Sequence, residues 1–535
     1  MKLLPALLTA FIVSGLAAEA RAQIGGGHWR PEDRVLVTDF GFVTALARSS
    51  DRMFAATSGG LLVNRDVFRR WEPPLTREDG WPDVEVTAMA YDRLDRMLWL
   101  AVLDGRLLSL DPDSYRWMDE IRLGRPVDMI VPVDSGSGGL LLRTAGGWLH
   151  VDTFTREVRA ASVAEANEAI ERDPALRARR ELIASPGFES VRAFVGTDPD
   201  GRAWPITDVI PTDDPTRFWI ASAGGGLSLL DSFSLNWRPV GIGLFGLGAA
   251  ALAVDGTGVW IASSEPILGR YGVTRVSDDL EDWDVVPART VGGVPDRGVR
   301  ALLMHEGVLW AAGVTGLRRR DPSGNWSLVV PGTYDSGDVL LSLAFGEPMV
   351  DGDPTLWIGG ERGLYRFSPR SAGPERMMSG AVVSGILPVA GGAWAATSRG
   401  LVFVDTAGTV APAADVPAIP AGAIVGNGEL AWAGVDRNVW QRDPQSGWRR
   451  LDELGMLSSP VTALAVAHGI LWVGTVDELV AWEIVGGPVR RYSFAAGDLP
   501  LGLYGDRGIA AIAPVSPGRV WIATPAGALR LDSPF

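Results

Sequence analysis

Leu471-Trp472-Val473-Gly474-Thr475 is one copy of a phrase that recurs along the whole chain. It runs apolar residue, Trp, a β-branched or small residue, then Ala or Gly. It returns as Val520-Trp521-Ile522-Ala523-Thr524 and Leu356-Trp357-Ile358-Gly359-Gly360. The same slot holds Trp99, Trp219, Trp260, Trp310, Trp394 and Trp432, with Phe54 and Leu141 in two weaker copies. The eleven copies are spaced by 45, 42, 78, 41, 50, 47, 37, 38, 40 and 49 residues. A period near forty, with one four-stranded unit per repeat, predicts an all-β fold: a β-propeller of about eleven blades.

The stretch 460–493 shows how one repeat folds. Val461 to Ala467 is a small-residue strand suited to a crowded inner ring, and His468-Gly469 turns the chain. Ile470 to Gly474 carries the Trp, Leu479 to Ile484 follows, and Val489 to Phe494 is the outer strand. Short strands separated by turn signals point to an antiparallel sheet. The Trp of the second strand is expected to pack between neighbouring blades, where its area is best buried. Outer-strand aromatics recur as Trp71, Trp117, Trp237, Trp283, Trp326, Trp448 and Tyr492.

The last repeat stops after three strands. His28-Trp29-Arg30-Pro31 matches Trp237-Arg238-Pro239, so residues near Trp29 are expected to supply the missing outer strand and close the seam. Eleven units favour two rings over one, with the C-terminal blade and the N-terminal blades sharing a ring. Splits of 4+7 and 5+6 both fit the count, and one large ring stays open as an alternative.

The 78-residue spacing between Leu141 and Trp219 holds a helical insertion. Ser162-Val163-Ala164-Glu165 is a capping box and Asp173-Pro174 a helix start. It reads as a plug or packing element. The alternative is a partner-docking arm whose charged face is Arg177, Arg179 and Arg180. The expected organisation is a signal peptide at 1–22, N-terminal blades at 23–161, the insertion at 162–205 and C-terminal blades at 206–535.

Lys2, the apolar run Leu3 to Leu16 and Ala20-Arg21-Ala22 form a secretory signal with cleavage after Ala22. The expected mature chain is periplasmic or secreted, with no membrane insertion. The uncharged run Pro239 to Val254 holds four glycines and fits a loop leading into a buried strand. There is no cysteine, which excludes disulfides, thiolate metal sites and a lipobox. Lys2 is the only lysine, and the net charge of −15 is ill suited to nucleic acid.

The repeats resemble those of the two-component regulator propeller family. The resemblance is carried by the strand pairs Val461 to Thr475 and Val86 to Ala101. It is also carried by Gly-Leu after the Trp strand (Gly316-Leu317, Gly363-Leu364, Gly400-Leu401). Loops such as Gly455 to Ser459 and Asp498 to Leu501 complete it. It covers most of the mature chain. It implies a propeller scaffold with ligand or protein recognition on one face. Family members often form the extracytoplasmic sensor part of hybrid histidine kinases. No kinase or membrane helix reads in this sequence, so the signalling role is not carried over.

Catalytic signals are weak. His28, His150, His305 and His468 are the only histidines, and His305 and His468 fall in matching turns. No metalloprotease, nucleophile-elbow, P-loop or dinucleotide pattern stands in a supporting context, and no cofactor is implied. Ser277-Asp278-Asp279 to Trp283 is similar to the Asp-box hairpin of sialidase-type propellers, a turn rather than an active centre. Asp335 with Asp338, and Asp351 with Asp353, fit hard-cation ligands and fit Asx turns better. Trp81, Tyr334 and Tyr504, in loops before inner strands, are the candidate exposed aromatics for recognition. The expectation is a non-enzymatic exported scaffold that binds a protein or carbohydrate partner. The alternative is a polysaccharide-acting hydrolase or lyase.

Overall fold

A computed structural model describes residues 33–532 apart from 66–69, 134–137, 190–202, 266–270, 288–297, 332–337, 347–354, 369–372 and 503. The signal segment, Trp29 and Tyr334 lie outside the described residues.

Eleven four-stranded antiparallel sheets are present, ten of them built from four consecutive strands. They are numbered here as blades 1 (43–71), 2 (86–122), 3 (127–161), 4 (206–240), 5 (247–287), 6 (299–331), 7 (340–379), 8 (383–412), 9 (421–450), 10 (461–493) and 11 (511–532 with 34–37). Every residue of the repeated Trp slot, Phe54 and Leu141 included, falls in the second strand of its blade, and the recurrent outer aromatics fall in the fourth. Trp432 and Trp521 are fully buried, and only Trp394 among the slot residues is half-buried. Apolar clusters join neighbouring blades face to face, and burial there is the main stabilising term.

The order of those clusters divides the blades four and seven. Blades 5 to 11 follow one another, and blade 11 packs back on blade 5 through Val37, Trp521, Ala523, Val259 and Ile261. Blade 2 packs on blades 1 and 3, and blade 1 on blade 4. Between blades 3 and 4 stand the two helices of the insertion, α1 (Val163–Arg172) and α2 (Pro174–Ile183). Helix α1 packs on blade 3 and α2 on the inner strand of blade 4. Leu182 and Phe188 cover Val209, Phe218 and Ile220. The capping box forms as the sequence predicts, with Glu165 N–H on Ser162 Oγ at 3.1 Å, and Asp173 caps α2.

Arg34–Val37 is the missing outer strand of blade 11, paired antiparallel with Gly527–Asp532. It lies a few residues downstream of Trp29. The expectation that the N-terminal blades share a ring with the C-terminal one holds for this strand alone. Residues 38–42 then cross to blade 1, and residues 241–246 cross back from blade 4 to blade 5. The two crossings bridge at Asp39 and Gly243. A Cβ on Gly243, whose φ is +80°, would stand 2.7 Å from the Thr38 carbonyl oxygen, so only glycine lets the crossings approach this closely. The ion pairs Arg70–Glu281 (3.2 Å) and Arg34–Glu78 (3.7 Å) also join the two groups of blades.

Candidate functional site

Ten of the eleven inner strands carry the same irregularity. The pairing register with the second strand slips by one at the second residue of the inner strand, or at the fourth in blade 5, leaving one residue bulged. The bulged residue therefore sits at the start of the inner strand, at the channel mouth. In four blades a hydroxyl there ties the blade to its neighbour. Thr87 Oγ1 donates to the Val127 carbonyl (2.5 Å), Thr207 to Val43 (2.7 Å), Ser384 to Ala421 (3.1 Å) and Thr462 to Ile509 (2.6 Å). Gly422 fills the position where the backbone of blade 10 comes closest, since a Cβ would meet the Val461 oxygen at 2.0 Å.

In the seven-bladed ring two bulged residues are neither a hydroxyl nor a small residue, Arg300 in blade 6 and Leu341 in blade 7. Arg300 is exposed and makes no hydrogen bond or ion pair with a described residue. With Ala250, Ser384, Thr462 and Ala510 these two rim a cavity of about 520 Å³ at the mouth of the seven-bladed channel. The loop entering blade 11 forms one side of it. Gly502 N–H donates to the Asp506 carbonyl at 2.7 Å, and this tight turn projects Tyr504, which is 81% exposed. Arg507, in the same loop, is held by Asp477 at 3.2 Å. Asp506 is the one carboxylate among the described lining residues.

The four-bladed channel is closed. The first turns of α2 enter it, and Arg179 pairs with Asp208 at 2.9 Å. Asp208 also accepts the Leu46 N–H at 2.9 Å. Burial pushes the Asp208 carboxyl above the usual range, and the Arg179 guanidinium only partly offsets this. A cavity of about 120 Å³ remains. The expected charged face of the insertion is thus divided: Arg179 points inward, while Arg180 and Arg177 contact Glu171 on α1.

The three candidate aromatics have different outcomes. Tyr504 stands at the mouth. Trp81 is a correction: it is 5% exposed and packs against Trp117 with ring centroids 6.3 Å apart. Its loop folds back through Thr76 and Asp79, and Trp81 N–H donates to the Thr76 carbonyl at 3.0 Å, which turns the ring into the cluster of blades 1 and 2. Tyr334 lies outside the described residues. Arg300 is the residue that sequence reasoning missed. Val299-Arg300-Ala301 aligns with Val461-Thr462-Ala463 and Val43-Thr44-Ala45, so register against the repeat places it at the mouth.

The remaining polar candidates are structural. Asp338 accepts from Arg362 N–H (2.8 Å) and Tyr365 Oη (3.0 Å), and its proposed partners lie outside the described residues. His305 stacks on Phe345 at 3.8 Å. The turn at Ser277 to Trp283 is a hairpin held by Asp282 N–H on Ser277 Oγ. Its Asp278 carbonyl accepts from Arg530 (2.8 Å) and Arg519 (3.2 Å), so the turn secures the contact between blades 5 and 11. No group of three metal-ligating side chains gathers among the described residues.

No family model matches the sequence, and no curated protein matches it either. Solved structures do. The chain is similar to the extracellular domain of the putative one component system BT4673 from B. thetaiotaomicron, at 13% identity and TM-score 0.41, over 92% of this chain and 63% of that one. It is similar to the extracellular domain of the putative hybrid two component system BT3049 from the same organism, at 11% identity and TM-score 0.43, over 90% and 60%. The WD40 propeller domain of Doa1 matches 54% of this chain over 93% of its own length, at 12% identity and TM-score 0.42. The chain thus spans less than two thirds of the first two. Likeness at this level concerns the repeated architecture and says nothing about ligand or activity.

Proposed function

We propose that this chain is an exported, non-enzymatic propeller scaffold that binds a protein or glycan partner at the mouth of its seven-bladed channel. The observation that carries this reading is the contrast between the two channels. One is stoppered by α2 and the half-buried Arg179–Asp208 ion pair, while the other opens on a cavity rimmed by Arg300 and the exposed Tyr504. A cavity of this size with a few convergent polar groups suits ligand binding. Export rests on the Lys2 to Ala22 segment, and no helix among the described residues is long and apolar enough to cross a membrane. A single carboxylate among the described lining residues gives no support to two-carboxylate glycoside hydrolysis.

The test is site-directed photo-crosslinking in the cell envelope. A benzophenone side chain at position 504 is expected to capture a partner. The same group at Phe233, 93% exposed on a hairpin turn of blade 4, serves as the control. Equal capture from both positions, or none from 504, refutes the placement of the site.

A further inference from the structure

We propose that the mouth of the seven-bladed channel selects a sugar bearing one carboxylate, with Arg300 as the carboxylate's partner. This rests on the mouth being the binding site, as proposed above. Arg300 occupies a position where blades 8 and 10 place a hydroxyl clasp and blades 5 and 9 a small residue, and its own side chain makes no such clasp. It is exposed at the cavity rim and unpaired among the described residues, whereas the neighbouring Arg507 is already held by Asp477. An uncommitted guanidinium presents two parallel N–H groups at the spacing of a carboxylate.

The rest of the rim suits a polyhydroxylated ligand. Ser384 and Thr462 spend their hydroxyl hydrogens on the Ala421 and Ile509 carbonyls, which leaves their oxygen lone pairs as acceptors for sugar hydroxyls. Asp506 adds a second acceptor and repels a ligand of high negative charge, which disfavours phosphorylated or sulfated chains. Tyr504 offers an apolar ring face with a polar tip. A peptide C-terminus would share the carboxylate, and its side chain would have Leu247, Leu341, Ile509 and Pro525 to pack on, so a peptide is included in the test as the competing ligand.

The experiment is calorimetric titration of the mature chain with the methyl glycoside of galacturonate, which bears a single carboxylate, with its uncharged methyl ester and with a tetrapeptide with a free C-terminus. The acid is expected to bind at least about tenfold more tightly than its uncharged ester, the span of one charge-assisted hydrogen-bonded contact. Arg300→Gln should erase that preference while leaving melting unchanged, since Arg300 holds no contact with a described residue. Equal affinity for acid and ester overturns the proposal, as does a preference that survives Arg300→Gln. Binding of the peptide in place of the sugars overturns it too. If neither galacturonide binds while crosslinking from position 504 still captures a partner, the ligand class falls and the location of the site stands.

Discussion

Trp521→Ala is the sharpest test of how the seven-bladed ring closes. Trp521 has no exposed surface and lies where blade 11 meets blade 5, beside Val37, Val259 and Ile261. A buried indole removes about 200 Å² from water, which at about 25 cal/mol/Å² gives about 5 kcal/mol. Its Nε1–H is buried without an acceptor among the described residues, and deleting it returns about 1–3 kcal/mol. The residual cavity works the other way, so the net loss is about 3–5 kcal/mol. Trp521→Phe keeps most of the area and removes the unpaired N–H, and should cost less than about 1.5 kcal/mol. Urea unfolding followed by far-UV circular dichroism, with limited proteolysis to assign the transition to blades 5–11, measures both. The packing argument is refuted if Trp521→Ala stays within about 1 kcal/mol of the parent. It is equally refuted if Trp521→Phe is as damaging as Trp521→Ala.

Removing the residues up to Val37 takes away the outer strand of blade 11 and uncovers the edge of Gly527–Asp532. Light scattering should then show self-association and melting should fall; a monomer of unchanged melting contradicts closure by this strand. Arg179→Ala leaves Asp208 charged and unpaired at the stoppered channel. A loss of about 1–3 kcal/mol is expected, with faster hydrogen exchange across 163–183 and no change in blades 5–11. Burial alone would raise the Glu478 pKa, but hydrogen bonds from Ser458 and Arg491 outweigh it and hold it below the ordinary 4.5. A lowered carboxylate pKa stabilises the fold above the unfolded value, and the gain is lost as pH falls through the folded one. Glu478→Gln should therefore flatten the acid limb of the melting profile below about pH 4.5, and an unchanged limb would rule this out.

Much of the fold was legible because one physical demand repeats. Each blade must bury its second strand against a neighbour, so a large apolar residue returns in that slot, and even Phe54 and Leu141 were placed correctly. The helical insertion was legible from local chemistry, since caps at Ser162 and Asp173 act within a single turn. Side-chain direction in loops was not. Trp81 and Tyr504 read alike in sequence, yet a capping turn folds one into the core and a tight turn carries the other outward. Arg300 was hidden for a different reason. Its meaning lies in the register of a bulge, which becomes visible only when all the inner strands are laid side by side.

The division into four and seven blades was illegible because it leaves no mark in the repeats. The packing of blade 1 on blade 4 uses the same kinds of side chain as that of blade 11 on blade 5. What differs is where two loops lead. Residues 38–42 and 241–246 each join an outer strand to the next inner strand, as every other inter-blade loop does, but both cross between the rings and pair with each other. A lone crossing would have to satisfy its backbone groups elsewhere; paired, Leu244 N–H donates to the Thr38 carbonyl at 2.8 Å and Phe40 is buried between them. The pairing also has a consequence for the smaller ring. Entering at 43 and leaving at 240, the chain brings blades 1 and 4 together at the crossing, so any gap must open on the far side, between blades 3 and 4. There α1 and α2 fill it, and in doing so they stopper one channel and leave the other as the open mouth.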